Sequence, residues 1–127
     1  MPRALGGGGL RLRFGLKEST IEAICFVLAE YPAVEKAFIY GSRAMGSFKR
    51  GSDIDLVLVG PDLTRDEIQR IEIELDDLML PYMFDIADYR WISNADLVDH
   101  IERVGKTFYT RTRAKAASFD RSDQKLA

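Results

Sequence analysis

Apolar residues along the chain recur with two different periods, and the alternation between them predicts the elements. Ile21, Ile24, Leu28 and Tyr31 form one stripe at helical spacing, which predicts a helix from about Lys17 or Thr20 to Tyr31. Ser19 and Glu22 have the spacing of a capping box at its start, and Pro32 ends it. Glu35 leads into a strand through Phe38-Ile39-Tyr40, and Ile54 to Val59 is a second, more fully apolar strand. Between them, Gly41-Ser42 predicts a tight turn into a short helical piece over about Arg43 to Phe48. Lys49-Arg50-Gly51-Ser52 then returns the chain as a basic loop, so the two strands are expected to be neighbours in one sheet. Helical spacing resumes at Ile68, Ile71, Leu75 and Leu78, with Thr64 as cap and Glu67 three residues on, predicting a helix from Arg65 to Leu78. Met83 to Ala87 alternates as a third strand. Asn94 to Val104 is a last helix presenting Leu97, Ile101 and Val104, with Gly105 as its C′ residue and a short strand expected over Lys106 to Thr110. The fold class implied is α/β (α+β): a small mixed sheet packed against helices.

The ends differ from this middle. Residues 1–15 carry four consecutive glycines with Arg3, Arg11 and Arg13, and read as a flexible basic leader. Residues 16–110 are the folded domain, and 111–127 are a polar tail expected to fray. With 127 residues the chain holds one core, and a net charge of −2 argues against a protein that grips long nucleic acid by its phosphates. No run approaches the length of a membrane span and the basic start lacks the apolar stretch of a signal peptide, so a cytoplasmic location is expected. Cys25, the single cysteine, reads as a small buried apolar group in a reducing compartment.

The chemistry concentrates in YGSRAMGSFKRGSDIDLVL, Tyr40 to Leu58. Asp53 and Asp55 project to the same side of a strand, about 7 Å apart at their Cα atoms. Asp85 adds a third carboxylate in the third strand, on the face of Met83 and Ala87. Such a set repels itself unless it meets water or a cation, and oxygen-only ligands suit magnesium, whose remaining ligands are commonly water and nucleotide phosphate. Gly41 permits close backbone approach, while the Ser42 hydroxyl and free amides of the turn can hold phosphate oxygens. Arg43, Lys49 and Arg50 supply positive charge nearby, although Arg43 has a salt bridge as its plain alternative and the two loop cations a solvated one. Ser52 reads as a turn residue. His100 reads as an exposed or edge histidine, and Tyr89 and Trp91 as core packing just past the third strand.

Gly41-Ser42, ten residues, then Asp53-Ile54-Asp55 resembles the signature of the polymerase-β-like nucleotidyltransferase superfamily. The short length, Leu80-Pro81-Tyr82-Met83-Phe84-Asp85, and His100-Ile101-Glu102-Arg103-Val104-Gly105 resemble its minimal nucleotidyltransferase (MNT) branch, the MntA-type antitoxins of HEPN/MNT pairs. The likeness runs from about Phe14 to Tyr109. It implies transfer of AMP from ATP to a tyrosine of a HEPN-domain toxin, with which the chain would assemble, and two magnesium ions. Asp53 and Asp55 would ligate both ions and Asp85 one of them. Gly41 and Ser42 would hold the β- and γ-phosphates, assisted by Arg43. Removal of the acceptor proton falls either to Asp85 or to the metal alone. Where many members have a second basic residue, this chain has Met45, a gap that Lys49 or Arg50 would fill. Two other readings compete: an antitoxin that neutralises its toxin by occlusion without catalysis, and a small-molecule nucleotidyltransferase of the aminoglycoside type.

Overall fold

The computed structural model describes residues 12–111. They open on a hairpin, β1 (Leu12–Arg13) paired antiparallel with β2 (Leu16–Lys17). Phe14 and Gly15 turn it with φ of 59° and 73°, the left-handed pair whose twist matches that of the flanking strands. The expected leader therefore gives way to regular structure at Leu12, and its residues 1–11 lie outside the described residues. β2 runs straight into α1 (Glu18–Ala29), so the extended residue at the helix start is Lys17 and Ser19 falls inside the first turn. The capping box expected from Ser19 and Glu22 does not form for that reason. The predicted stripe is buried as expected, with Val27 added to it.

The remaining elements follow the predicted order with shifted ends. They are β3 (Lys36–Tyr40), α2 (Ser42–Met45), β4 (Ile54–Val59), α3 (Arg65–Asp76), β5 (Phe84–Asp88), a 3-10 turn (Tyr89–Trp91), α4 (Ala95–Val104) and β6 (Lys106–Thr110). α2 is shorter than expected because Gly46, at φ 84°, takes a left-handed conformation that stops it. α3 carries the complete Thr64–Glu67 capping box. Gly105 is not the left-handed cap expected: it is extended, at φ −60° and ψ 142°. What restricts this position is space, since a Cβ there would lie 2.5 Å from the Ile101 carbonyl oxygen.

Among the described residues the main sheet has the order β5-β4-β3-β6. β4 is antiparallel to β3 and parallel to β5, the α3 crossover making the second pairing possible; β6 is antiparallel to β3. One face packs on α1 and α3 through Ile24, Leu28, Ile54, Leu56, Leu58, Ile71 and Leu75. All of these are fully buried, each side chain contributing roughly 1.5–3 kcal/mol of transfer free energy. The other face carries a smaller cluster, Tyr40, Val57 and Ile101, over which α4 lies with Leu97. Arg111, placed by sequence in a fraying tail, is instead anchored: its guanidinium donates to the carbonyls of Ala29, Tyr31 and Val34. The tail's residues 112–127 lie outside the described residues. No helix among the described residues is long and apolar enough to cross a membrane.

Candidate active site

β4 passes from charge to core within one residue. Its alternation sends Ile54, Leu56 and Leu58 to the α1/α3 face and Asp55, Val57 and Val59 to the α4 face. Cross-strand register then decides what stands beside Asp55. Its partner on β3 is Tyr40 and its partner on β5 is Asp85, so the three form one row across neighbouring strands. Strands lie about 4.8 Å apart, which makes Asp55 and Asp85 direct neighbours on the same face. Asp53 lies just before β4 and is exposed, contrary to the expectation that all three carboxylates sit in strands.

The electrostatics follow from this row. Burial raises the Asp55 carboxyl above its ordinary range, with further increments from the charges of Asp85 and then Asp53; His100 and Arg43 pull it the other way. The Tyr40 hydroxyl is pushed up to about 12, chiefly by burial and then by Asp85 and Asp55. The site is thus an acidic corner that favours a cation. Its side chains do not form a finished cage, for among the described residues no three acidic, histidine or cysteine groups gather tightly enough to hold an ion. The expected convergence of Asp53, Asp55 and Asp85 is present as a shared corner only. Asp53 stands outside the sheet and the three like charges repel one another. The donor set itself, carboxylate oxygens alone, fits a hard divalent cation.

The Gly41–Ser42 turn borders the row. Gly41 adopts φ 72° and ψ −155°, and its carbonyl accepts from the amides of Ala44 and Met45, both at 3.1 Å, to start α2. A Cβ on Gly41 would lie 2.3 Å from Asp55 Oδ2, so the turn and the carboxylate are in immediate contact. Ser42 is half-buried at the first position of α2. From the other side, the Gly41 amide donates to His100 Nε2 at 3.2 Å, and the imidazole meets the Tyr40 ring edge-on at 6.2 Å.

Arg43 corrects the sequence reading. Rather than facing phosphate, it is only 3% exposed and serves as an internal tether. Its Nε and Nη2 donate to the Ser52 carbonyl at 3.1 and 2.9 Å, and its Nη1 to the Phe14 carbonyl at 2.8 Å. The rings of Phe48 and Tyr82 stand 5.2 and 4.9 Å from the guanidinium carbon. It thus clamps the hairpin turn and the end of the basic loop together. Lys49 and Arg50 remain exposed on that loop, which Ser52 closes as a turn residue by accepting from the Lys49 amide at 2.8 Å. Trp91 is likewise not core: it is 57% exposed and lies against Arg65 and Arg90. Tyr89 is half-buried under α4 and donates to Glu102. Burial raises the Cys25 thiol, which suits a packing role rather than a nucleophile.

Tyr40 and His100 are the site residues that sequence reasoning missed. The signal for Tyr40 was its position next to Gly41 on an alternating strand. For His100 it was the three-residue spacing from Leu97, on the stripe that packs on the sheet. A hollow of about 350 Å³ lies farther along the same sheet face, lined by Phe38, Val59, Tyr89, Ile101, Glu102 and Gly105. Asp53, Asp55 and Asp85 do not line it.

Known proteins share the fold that carries this arrangement. A family model described as polymerase beta, nucleotidyltransferase, matches residues 22–114. A crystal structure of a toxin-antitoxin with AMP-PNP is similar at 20% identity and a TM-score of 0.60, over 76% of this chain and 77% of that one. The toxin-antitoxin MntA-HepT is similar at 18% identity and a TM-score of 0.57, over 78% of this chain and 76% of that one. A complex of tri-AMPylated Shewanella oneidensis HEPN toxin with MNT antitoxin gives 18% identity and a TM-score of 0.56, over 80% of this chain and 78% of that one. No curated protein matches. At these identities the structural likeness is one of fold.

Proposed function

The chain belongs to the polymerase-β nucleotidyltransferase family, and from that premise we propose that it is an MNT-type antitoxin. On this reading it moves AMP from ATP onto a tyrosine hydroxyl of a partner HEPN toxin. The observation that carries the reading is the register of Asp55 with Asp85, on one face of adjacent parallel strands and against the Gly41–Ser42 turn. The complexes named above, one holding AMP-PNP and one an AMPylated toxin, support the choice of nucleotide and partner by analogy of fold.

In the reaction the acceptor hydroxyl oxygen attacks the α-phosphorus, the bond to the bridging oxygen breaks, and pyrophosphate leaves. The Gly41–Ser42 turn holds the outgoing phosphates, with Ser42 contributing its hydroxyl. Lys49 and Arg50, exposed on the neighbouring loop, are the cations proposed to neutralise phosphate charge in place of Arg43. β5 is an edge of the described sheet and Asp85 is exposed on it, so an acceptor carried by another protein has a route to the row. Asp85 is the group proposed to accept the hydroxyl proton, the alternative being loss of that proton to solvent under the influence of the metal alone. Asp53, Asp55 and Asp85 would hold magnesium, which would supply stabilisation of charge on the attacking and leaving oxygens.

The test is to mix the full chain with ATP, magnesium and the product of the gene neighbouring its own, and to weigh that product by mass spectrometry. One or more adenylyl increments are expected, and their absence with wild-type chain overturns the reading. An Asp55→Asn chain separates catalysis from occlusion: if it still neutralises the toxin in cells, occlusion is the mechanism.

A further inference from the structure

His100 is the chain's only histidine, and it is the one side chain of α4 that makes a polar contact with the Gly-Ser turn among the described residues. Its Nε2 accepts from the Gly41 amide at 3.2 Å, which requires that nitrogen to be without a proton and fixes the neutral ring as the Nδ1–H tautomer. The same ring meets Tyr40 edge-on, with interplanar angle 79°, and so braces two consecutive residues of the site. The Gly41 carbonyl is tied to the amides of Ala44 and Met45, whereas its own amide is tied to the imidazole. Gly41 is in a conformation open essentially to glycine alone, with Asp55 Oδ2 only 2.3 Å from where a Cβ would lie. α4 is itself well seated, capped by Asn94 through the amides of Asp96 and Leu97 and packed by Ile101, which is 6% exposed. A stable helix therefore reaches across the sheet end to hold a strained turn.

We propose that His100 is a positioning residue for the nucleotide: by accepting from Gly41, it holds the Gly41–Ser42 turn in the geometry that receives the triphosphate. This rests on the reading of the site as a nucleotide site. It assigns His100 no contact with the reacting atoms; the imidazole acts through the backbone it orients. Removal of the acceptor leaves the Gly41 amide without its partner and frees the turn to rotate away from Asp55. The effect should fall on nucleotide binding as well as, modestly, on folding.

Two variants separate these outcomes. His100→Phe keeps a flat ring against Tyr40 and removes the acceptor; His100→Gln restores an acceptor oxygen at about the reach of Nε2. The full chain is titrated with a non-hydrolysable ATP analogue and magnesium, and Gly41 amide hydrogen exchange and thermal melting are followed in parallel. H100F should bind the analogue about tenfold more weakly, because the loosened turn must be ordered again to receive the triphosphate. Its Gly41 amide should exchange faster, and its melting should fall only by what one hydrogen bond is worth. H100Q should recover most of the affinity and of the protection. Equal affinity in wild type and H100F overturns the positioning role alone, as does an H100Q that recovers the melting temperature but not the affinity. A wild type that binds no nucleotide overturns the functional reading, and the positioning role with it.

Discussion

Asp55 Oδ2 lies where a Cβ on Gly41 would be, 2.3 Å from that position, so the acid and the turn are built around the absence of one side chain. The turn also uses a φ of 72° with ψ of −155°, a combination that strains any other residue. Gly41→Ala should therefore lower stability by about 1–3 kcal/mol. It should also lower nucleotidyl transfer about a hundredfold, because the displaced carboxylate misplaces the reacting groups. Urea unfolding and a transfer assay on the same preparation measure both. Wild-type activity in G41A would show that the contact between turn and acid is dispensable.

Arg43 is buried as a charge held by carbonyl oxygens, and among the described residues it makes no ion pair. A lysine ammonium lacks the planar fork that reaches Ser52 and Phe14 together. Arg43→Lys should lose about 2 kcal/mol of stability, the range for hydrogen bonds to a charged donor. The hairpin Leu12–Lys17 should lose hydrogen-exchange protection first, since Arg43 is its tie to the loop. If R43K instead leaves melting unchanged and weakens only nucleotide binding, Arg43 is a phosphate ligand after all.

The difference between Arg43 and Asp55 shows what was legible in the sequence. The strand Ile54–Val59, the apolar stripes of α1 and α3 and the order of elements come from local periodicity, and the structure keeps them. The structure also keeps β3 and β4 as neighbours in one sheet, and adds that they run antiparallel. The placement of Arg43 depends on Phe14, which lies twenty-nine residues away in sequence, and proximity to Gly41-Ser42 does not reveal such a contact. Tyr40, Asp55 and Asp85 form a row only through strand register, and His100 joins them only because α4 crosses that end of the sheet. Local pattern names the carboxylates. It does not state what they face.

Thr64 offers a test of stability away from the site. Its side chain accepts from the Glu67 amide at 3.1 Å, and the Glu67 carboxylate accepts from the Thr64 amide at 3.0 Å, which completes the box. Thr64→Ala should cost about 1 kcal/mol in urea unfolding. Nucleotide affinity should be unchanged, because α3 packs on the face of the sheet opposite Asp55. A large fall in affinity in T64A would mean that the crossover helix communicates with the site.

Asp55 gives the pH dependence, and its sign is opposite to that of a carboxylate held by a salt bridge. Burial, with Asp85 and Asp53, raises its folded pKa above the unfolded value, so between the two the folded chain binds more protons. Stability of the metal-free chain should consequently fall as pH rises through that window, and the deficit should be complete above the folded pKa. Asp55→Asn removes the charge while keeping the shape. It should raise the melting temperature at pH 7 without magnesium, and the gain should vanish in acid, where wild-type Asp55 is already neutral. The same variant should lose nucleotidyl transfer, a site that gives up stability for function. Magnesium should raise the melting temperature of wild type, since a ligand of the folded state stabilises it, and should do so much less in D55N. Melting curves of both proteins across pH, with and without magnesium, decide the matter. A D55N that melts below wild type at neutral pH would show that Asp55 is a stabilising group and not a strained acid awaiting a cation.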